Sequence, residues 1–123
     1  MFTAVEYVLA GLRELTGLPA STRVPPDPPP VFIRVEPSAP EAYSPTHDKV
    51  FMIVEVYGRW QDMEAVLSTV YQCRDYLRFT ISTDYPAIVG WDEMSGPHEL
   101  NDPDIEETHT RWQLAGHAYQ ALT

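Results

Sequence analysis

Four histidines, the single cysteine Cys73 and eighteen carboxylates are the side chains of this 123-residue chain with the widest chemical range. Nucleophilic catalysis needs a Ser or Cys held beside a His in a strained turn, and no nucleophile-elbow pattern surrounds any Ser or Cys here. His109 and His117 fall on one face of a strand-like segment, yet eight extended residues separate them by about 26 Å, too far to share a metal. Both read as surface histidines. The run Asp102, Pro103, Asp104, Ile105, Glu106, Glu107 has the carboxylate density of a calcium loop, but lacks the central glycine and the acidic twelfth position. Paired carboxylates of the glycosidase kind are defined by their separation in space, which a sequence does not give. The six glycines are isolated, so no phosphate-cradling loop is present. We therefore expect no catalytic residue, no cofactor and no metal ligand.

Charge points the same way. Eighteen acidic against eight basic residues give a formal net charge of -10, and the seven arginines and Lys49 form no cluster. Such a surface repels nucleic-acid phosphates and anionic membranes. From Asp84 to Glu107 the chain carries eight carboxylates and no Lys or Arg. A solvated acidic loop is the expectation there, or a lining for something that must not adhere.

These residues must be carried by a scaffold. Residues 2–16 place Val5, Val8, Leu9, Leu12 and Leu15 at helical spacing, with Gly17 and Pro19 as stop signals. Nine of the twelve prolines lie in residues 19–45, which predicts a stiff link over 19–30. A short strand over Val31 to Val35 follows, then a mobile polar loop over 38–48. Residues 49–59 read as a central strand, with Val50, Met52, Val54 and Val56 on one face and Phe51, Ile53, Glu55 and Tyr57 on the other, ended by Gly58. Trp60 to Phe79 has helical spacing. Ala87 to Trp91 and Thr108 to Leu122 read as two more strands, with Trp112 in the core and an acidic loop between them.

The fold class expected is α+β: a mixed, mostly antiparallel sheet of four to five strands packed with two helices, in the order α-β-β-α-β-β, within one domain. The second helix could share the first helix's face of the sheet or take the opposite one. Apolar content of 44% supports a folded core, and no apolar run approaches the roughly 18 residues of a membrane span. A buried Cys73 without a disulfide partner, and a start without a basic leader, suit a reducing cytosol.

With these elements in order, the chain resembles the tail terminator family of long-tailed, siphovirus-type bacteriophages, particularly those of actinobacterial hosts. The resemblance is carried by LRELTG, the strand VFIRVE, the strand-to-helix turn YGRWQDMEAV, and RWQLAGHAY preceded by the Gly-Pro acidic stretch SGPHELNDPD. It implies a homo-oligomeric ring, a hexamer, at the head-proximal end of the tail tube in the virion, assembled in the host cytoplasm. Its implied partners are further copies of itself, the tail tube protein and a head-tail connector or neck protein. DNA would pass through the ring without specific binding, and an acidic wall would not hold its phosphates. Asp92, Glu93, Glu99, Asp102, Asp104, Glu106 and Glu107 are the candidates for that wall. Cyclic rings use heterologous interfaces, for which Pro28, Pro29, Tyr43, Trp60 and Trp91 are the candidate contacts. A neck or tail-completion protein of the same virion, or a small ligand-binding α+β domain, are the other readings.

Overall fold

The structure, a computed structural model, describes residues 2–122. It runs α1 (Ala4–Thr16), β1 (Ala20–Ser21), β2 (Val31–Pro37), β3 (Glu41–Ser44), β4 (His47–Arg59), a 3-10 turn (Trp60–Asp62), α2 (Met63–Phe79), α3 (Ile81–Asp84), β5 (Ile88–Glu99) and β6 (His109–Ala121). The fold is α+β, with a mixed, mostly antiparallel sheet in the order β1-β2-β4-β6-β5; β3 adds to the end of β4. Among the described residues only β1 and β2 pair in parallel. Among the described residues there are six strands and three helices, more than the four to five strands and two helices expected.

Local chemistry explains the main boundaries. Thr3 and Glu6 form a reciprocal capping box at the start of α1, and Gly17, at φ 69°, closes it in the left-handed conformation. The start of α2 follows directly from the β4 strand through the 3-10 turn. Gly58 does not end β4, which runs on to Arg59; a Cβ at Gly58 would collide with the Val66 side chain of α2. Its bare backbone therefore lets α2 pack against the strand.

β4 is central, paired with β2 on one side and β6 on the other. Its residues Val50, Met52, Val54 and Val56 join one hydrophobic core with Val8 and Leu12 of α1 and Val66, Val70, Cys73 and Leu77 of α2. Both helices therefore cover the same face of the sheet. Cys73 is fully buried, and burial pushes its thiol up to about 12.

Two segments expected as loops are strands. Residues 41–44 form a hairpin on β4, with Tyr43 packed edge-on against Tyr119 of β6 at 5.1 Å between ring centres. The polar second half of β5 stays paired with β6 as far as Glu99, across three register irregularities. Pro97 and Gly96 are tolerated because β5 is an edge strand, where a missing donor or a bulge costs no inner ladder bond.

Candidate functional site

The face of the sheet away from the helices carries Phe32, Arg34 and Glu36 of β2, Phe51, Ile53, Glu55 and Tyr57 of β4, and Arg111, Gln113 and His117 of β6, as the cross-strand pairing dictates. At one end of this face the Pro-rich link, the β4-to-α2 turn and residues 100–108 converge. Phe32 stacks flat on Tyr57, ring centres 4.6 Å apart, and His109 meets Phe32 edge-on at 6.0 Å. His109 is not a surface histidine. It is buried, with Nε2 3.0 Å from the Pro29 carbonyl oxygen and Nδ1 2.8 Å from the Thr108 hydroxyl. The Nε2 contact with a carbonyl oxygen, which can only accept, makes Nε2 the donor there.

Beside this aromatic stack lies a charged network that the alternation pattern alone did not single out. Glu55 is 1% exposed. Arg34 Nη1 donates to its Oε2 at 3.2 Å, and the Tyr57 hydroxyl lies 3.2 Å from the same oxygen. That hydroxyl also lies 3.0 Å from Asp102 Oδ2 and accepts from Arg111 Nη1 at 3.3 Å. Arg111 Nη1 is 3.9 Å from Glu55 and 4.0 Å from Asp102, while Arg34 reaches Glu36 at 3.6 Å. Burial pushes the Glu55 carboxyl up, and Arg34 and Arg111 pull it back. Burial is also the main cause that holds the Tyr57 hydroxyl up, at about 12. The one signal in the sequence was Glu55 itself, a carboxylate inside the apolar run from Val50 to Tyr57.

The network fastens residues 100–108 to the sheet. Arg111 Nε donates to the Leu100 carbonyl oxygen at 2.6 Å, and the Arg111 backbone N–H donates to Asn101 Oδ1 at 3.0 Å. Trp60 Nε1 donates to the Glu106 carbonyl oxygen at 2.8 Å, and Asp102 Oδ1 accepts from its own loop at the Asp104 N–H, 3.0 Å. Chemically the arrangement is an anchor: every strongly buried charge in it faces an opposite charge or a hydrogen-bond donor.

The seven candidate acidic residues do not form one loop. Asp92, Glu93 and Glu99 belong to β5; Glu93 is held by Arg74 of α2 through two bonds of 2.8 and 2.9 Å, and Glu99 accepts from Thr110 at 3.2 Å. Asp102 is tied to Tyr57. Asp104, Glu106 and Glu107 are exposed in the turns before β6. Among the described residues no group of three or more His, Cys, Asp or Glu is placed to hold a metal ion.

The candidate contacts also separate. Pro28, Pro29 and Trp60 gather at the anchored end, where Trp60 is 42% exposed despite its bond to Glu106. Tyr43, 64% exposed, lies at the other end with Tyr119, His47 and Val89 around a cavity of 350 Å3. Trp91 packs on the core from β5 instead, and Trp112, expected in the core, is half-buried against it. Both indole N–H groups are buried without a partner among the described residues. Among the described residues no helix is long and apolar enough to cross a membrane. Compared with protein-family models the chain matches none, and compared with curated proteins it matches none.

Proposed function

We propose that this chain is a structural virion subunit, a tail terminator that closes the head-proximal end of a long phage tail as a ring. One observation carries the reading: the segments that resemble the family occupy successive parts of the scaffold. LRELTG forms the last turns and cap of α1, VFIRVE forms β2, YGRWQDMEAV spans the β4-to-α2 junction, and RWQLAGHAY lies within β6. The resemblance thus falls on the core elements and on the turn that joins sheet to helix.

In this role the chain stops tube polymerisation and offers a surface to the head connector, tasks of shape and adhesion that need no catalytic centre. Its partners are further copies of itself, the tail tube protein and the connector, with DNA passing through unbound. Two separate exposed aromatic positions, Trp60 at the anchored end and Tyr43 at the β3 hairpin, support a heterologous contact in which unlike patches of neighbours meet. The exposed carboxylates Asp104, Glu106 and Glu107 support an acidic wall that DNA would not stick to.

Light scattering across a wide concentration range, followed by negative-stain imaging, tests the proposal. A hexamer of the 14.0 kDa chain, seen as a ring with a central hole and reduced to smaller species by Tyr43→Ser, is the expected result. A chain that stays monomeric throughout and fails to bind or cap tail tubes overturns it.

A further inference from the structure

The C-terminal halves of α1 and α2 flank, with Thr80 and the last residue of α3, Asp84, a groove of 560 Å3, within the size range of ligand sites. Its floor is the Tyr76 ring, laid against Gly11 of α1; a Cβ at Gly11 would come within 2.7 Å of Tyr76 Cε2, so the glycine lets the ring lie there. Its apolar rims are exposed: Leu15 at 40% on α1 and Phe79 at 70% on α2. Glu14, Asp75 and Asp84 surround these rims, and no Lys or Arg lines the groove. Asp84 accepts from the Tyr76 hydroxyl at 3.0 Å, while Glu14 and Asp75 have no ion-pair partner among the described residues. Arg78, next in sequence to Phe79, stacks on that ring at 4.8 Å. The Phe79 ring therefore already takes a cation on one face.

We propose that this groove docks a basic segment of a partner protein, one that inserts a large apolar side chain between Leu15 and Phe79 and sets Lys or Arg against Glu14 and Asp75. Charge complementarity names the partner. An apolar cleft rimmed by Glu14 and Asp75, which have no ion-pair partner among the described residues, favours a cationic, amphipathic chain, which the surrounding field also steers toward it. A second copy is a poor match. Each copy carries -10, and most of its eight cations are engaged: Arg34, Arg74 and Arg111 in ion pairs, Arg13 on the Ala20 carbonyl, Arg78 on Phe79. The site lies on the helical layer, apart from the anchored end of the sheet, and does not depend on the ring proposed above.

The probe is a fluorescein-labelled amphipathic peptide of Leu and Lys, about 15 residues long so that it can form a helix, titrated into the full chain at about 0.15 M salt. Saturable binding is expected, weakened about ten-fold or more by Phe79→Ser and by the pair E14Q/D75N, as loss of an anchor or of its charged rim should do. The triple variant D104N/E106Q/E107Q removes more charge elsewhere and is expected to change affinity by less than about two-fold. All the substituted side chains are exposed, and thermal melts establish that each variant is folded. No saturable binding, or an equal loss in the triple variant, overturns the proposal, the second because it reduces the attraction to net charge. An oligomer of the wild-type chain that Phe79→Ser converts to monomer also overturns it, by making the groove a contact between copies.

Discussion

The Tyr57 hydroxyl donates to the Asp102 carboxylate at 3.0 Å across 45 residues of chain, joining the central strand to the segment that precedes β6. The same oxygen accepts from Arg111 and lies 3.2 Å from Glu55 Oε2, so one phenol touches three charged side chains. Tyr57→Phe keeps the stack on Phe32 and deletes only the hydroxyl. Leaving buried partners unmet costs about 1 to 3 kcal/mol, so the urea midpoint should fall with an unchanged slope. Because burial raises the Tyr57 value to about 12, its contribution is complete below the ordinary tyrosine value and is lost as pH rises through about 12. The wild-type advantage over Tyr57→Phe should therefore shrink in that alkaline window; an advantage independent of pH there would show that the hydroxyl is not held as described.

Glu55 tests the network from its centre. Glu55→Ala leaves Arg34 and Arg111 beside an emptied site and should cost about 3 to 5 kcal/mol, the range for removing one partner of a buried ion pair. Glu55→Gln keeps the shape and a hydrogen-bond acceptor and should cost less. The sign with pH is fixed by burial, which raises the carboxyl: its stabilising share is present below the unfolded glutamate value and declines as pH rises through the folded one. The deficit of Glu55→Gln relative to wild type should accordingly narrow as pH rises above the unfolded glutamate value and through the raised folded one. Denaturant titrations at several pH values read this directly, and a widening deficit contradicts it.

Glu93 shows the opposite sign. Its hydrogen bonds to Arg74 hold the carboxyl below the usual glutamate range, so the pair's contribution is present above the unfolded value and is lost as pH falls through the lowered one. Carbon-detected NMR titration of the Glu93 carboxyl should give a depressed midpoint in the wild type and a higher one in Arg74→Gln. Identical midpoints would mean that the ion pair between α2 and β5 does not persist in solution.

How much of this was legible follows from which residues had a local signature. The helical spacing of residues 2–16 and 60–79, the stop signal Gly17, and the apolar face of β4 all act within a few residues, and α1, β4 and α2 could be read from them. The β3 hairpin and the distal half of β5 could not, because Glu41–Ser44 and the Gly96–Pro97 region have weak strand propensity and become strands through partners distant in sequence. The same reason hid the anchor. Arg34, Glu55, Tyr57, Asp102 and Arg111 lie on four segments, and the register of β2, β4 and β6 together with the path of residues 100–108 brings them together. His109 misled by its charge-capable ring, since its burial rests on a carbonyl 80 residues away.

Gly116 offers the last prediction, because it explains where Trp91 went. A Cβ at Gly116 would lie 2.7 Å from the Asp92 carbonyl oxygen of β5 and 2.8 Å from Trp91 Cε2. The glycine on β6 thus creates the space into which the neighbouring strand lays its indole, taking Trp91 out of the exposed surface and onto the core. Gly116→Ala must displace either backbone or ring, and overpacking of this kind typically costs about 1 to 3 kcal/mol. The substitution should lower the melting temperature and red-shift the tryptophan emission as Trp91 is driven toward water. Pairing it with Trp91→Leu, which removes the ring but not the backbone contact, should recover part of the loss. Full additivity of the two changes would show that Gly116 and Trp91 do not share the space the structure gives them.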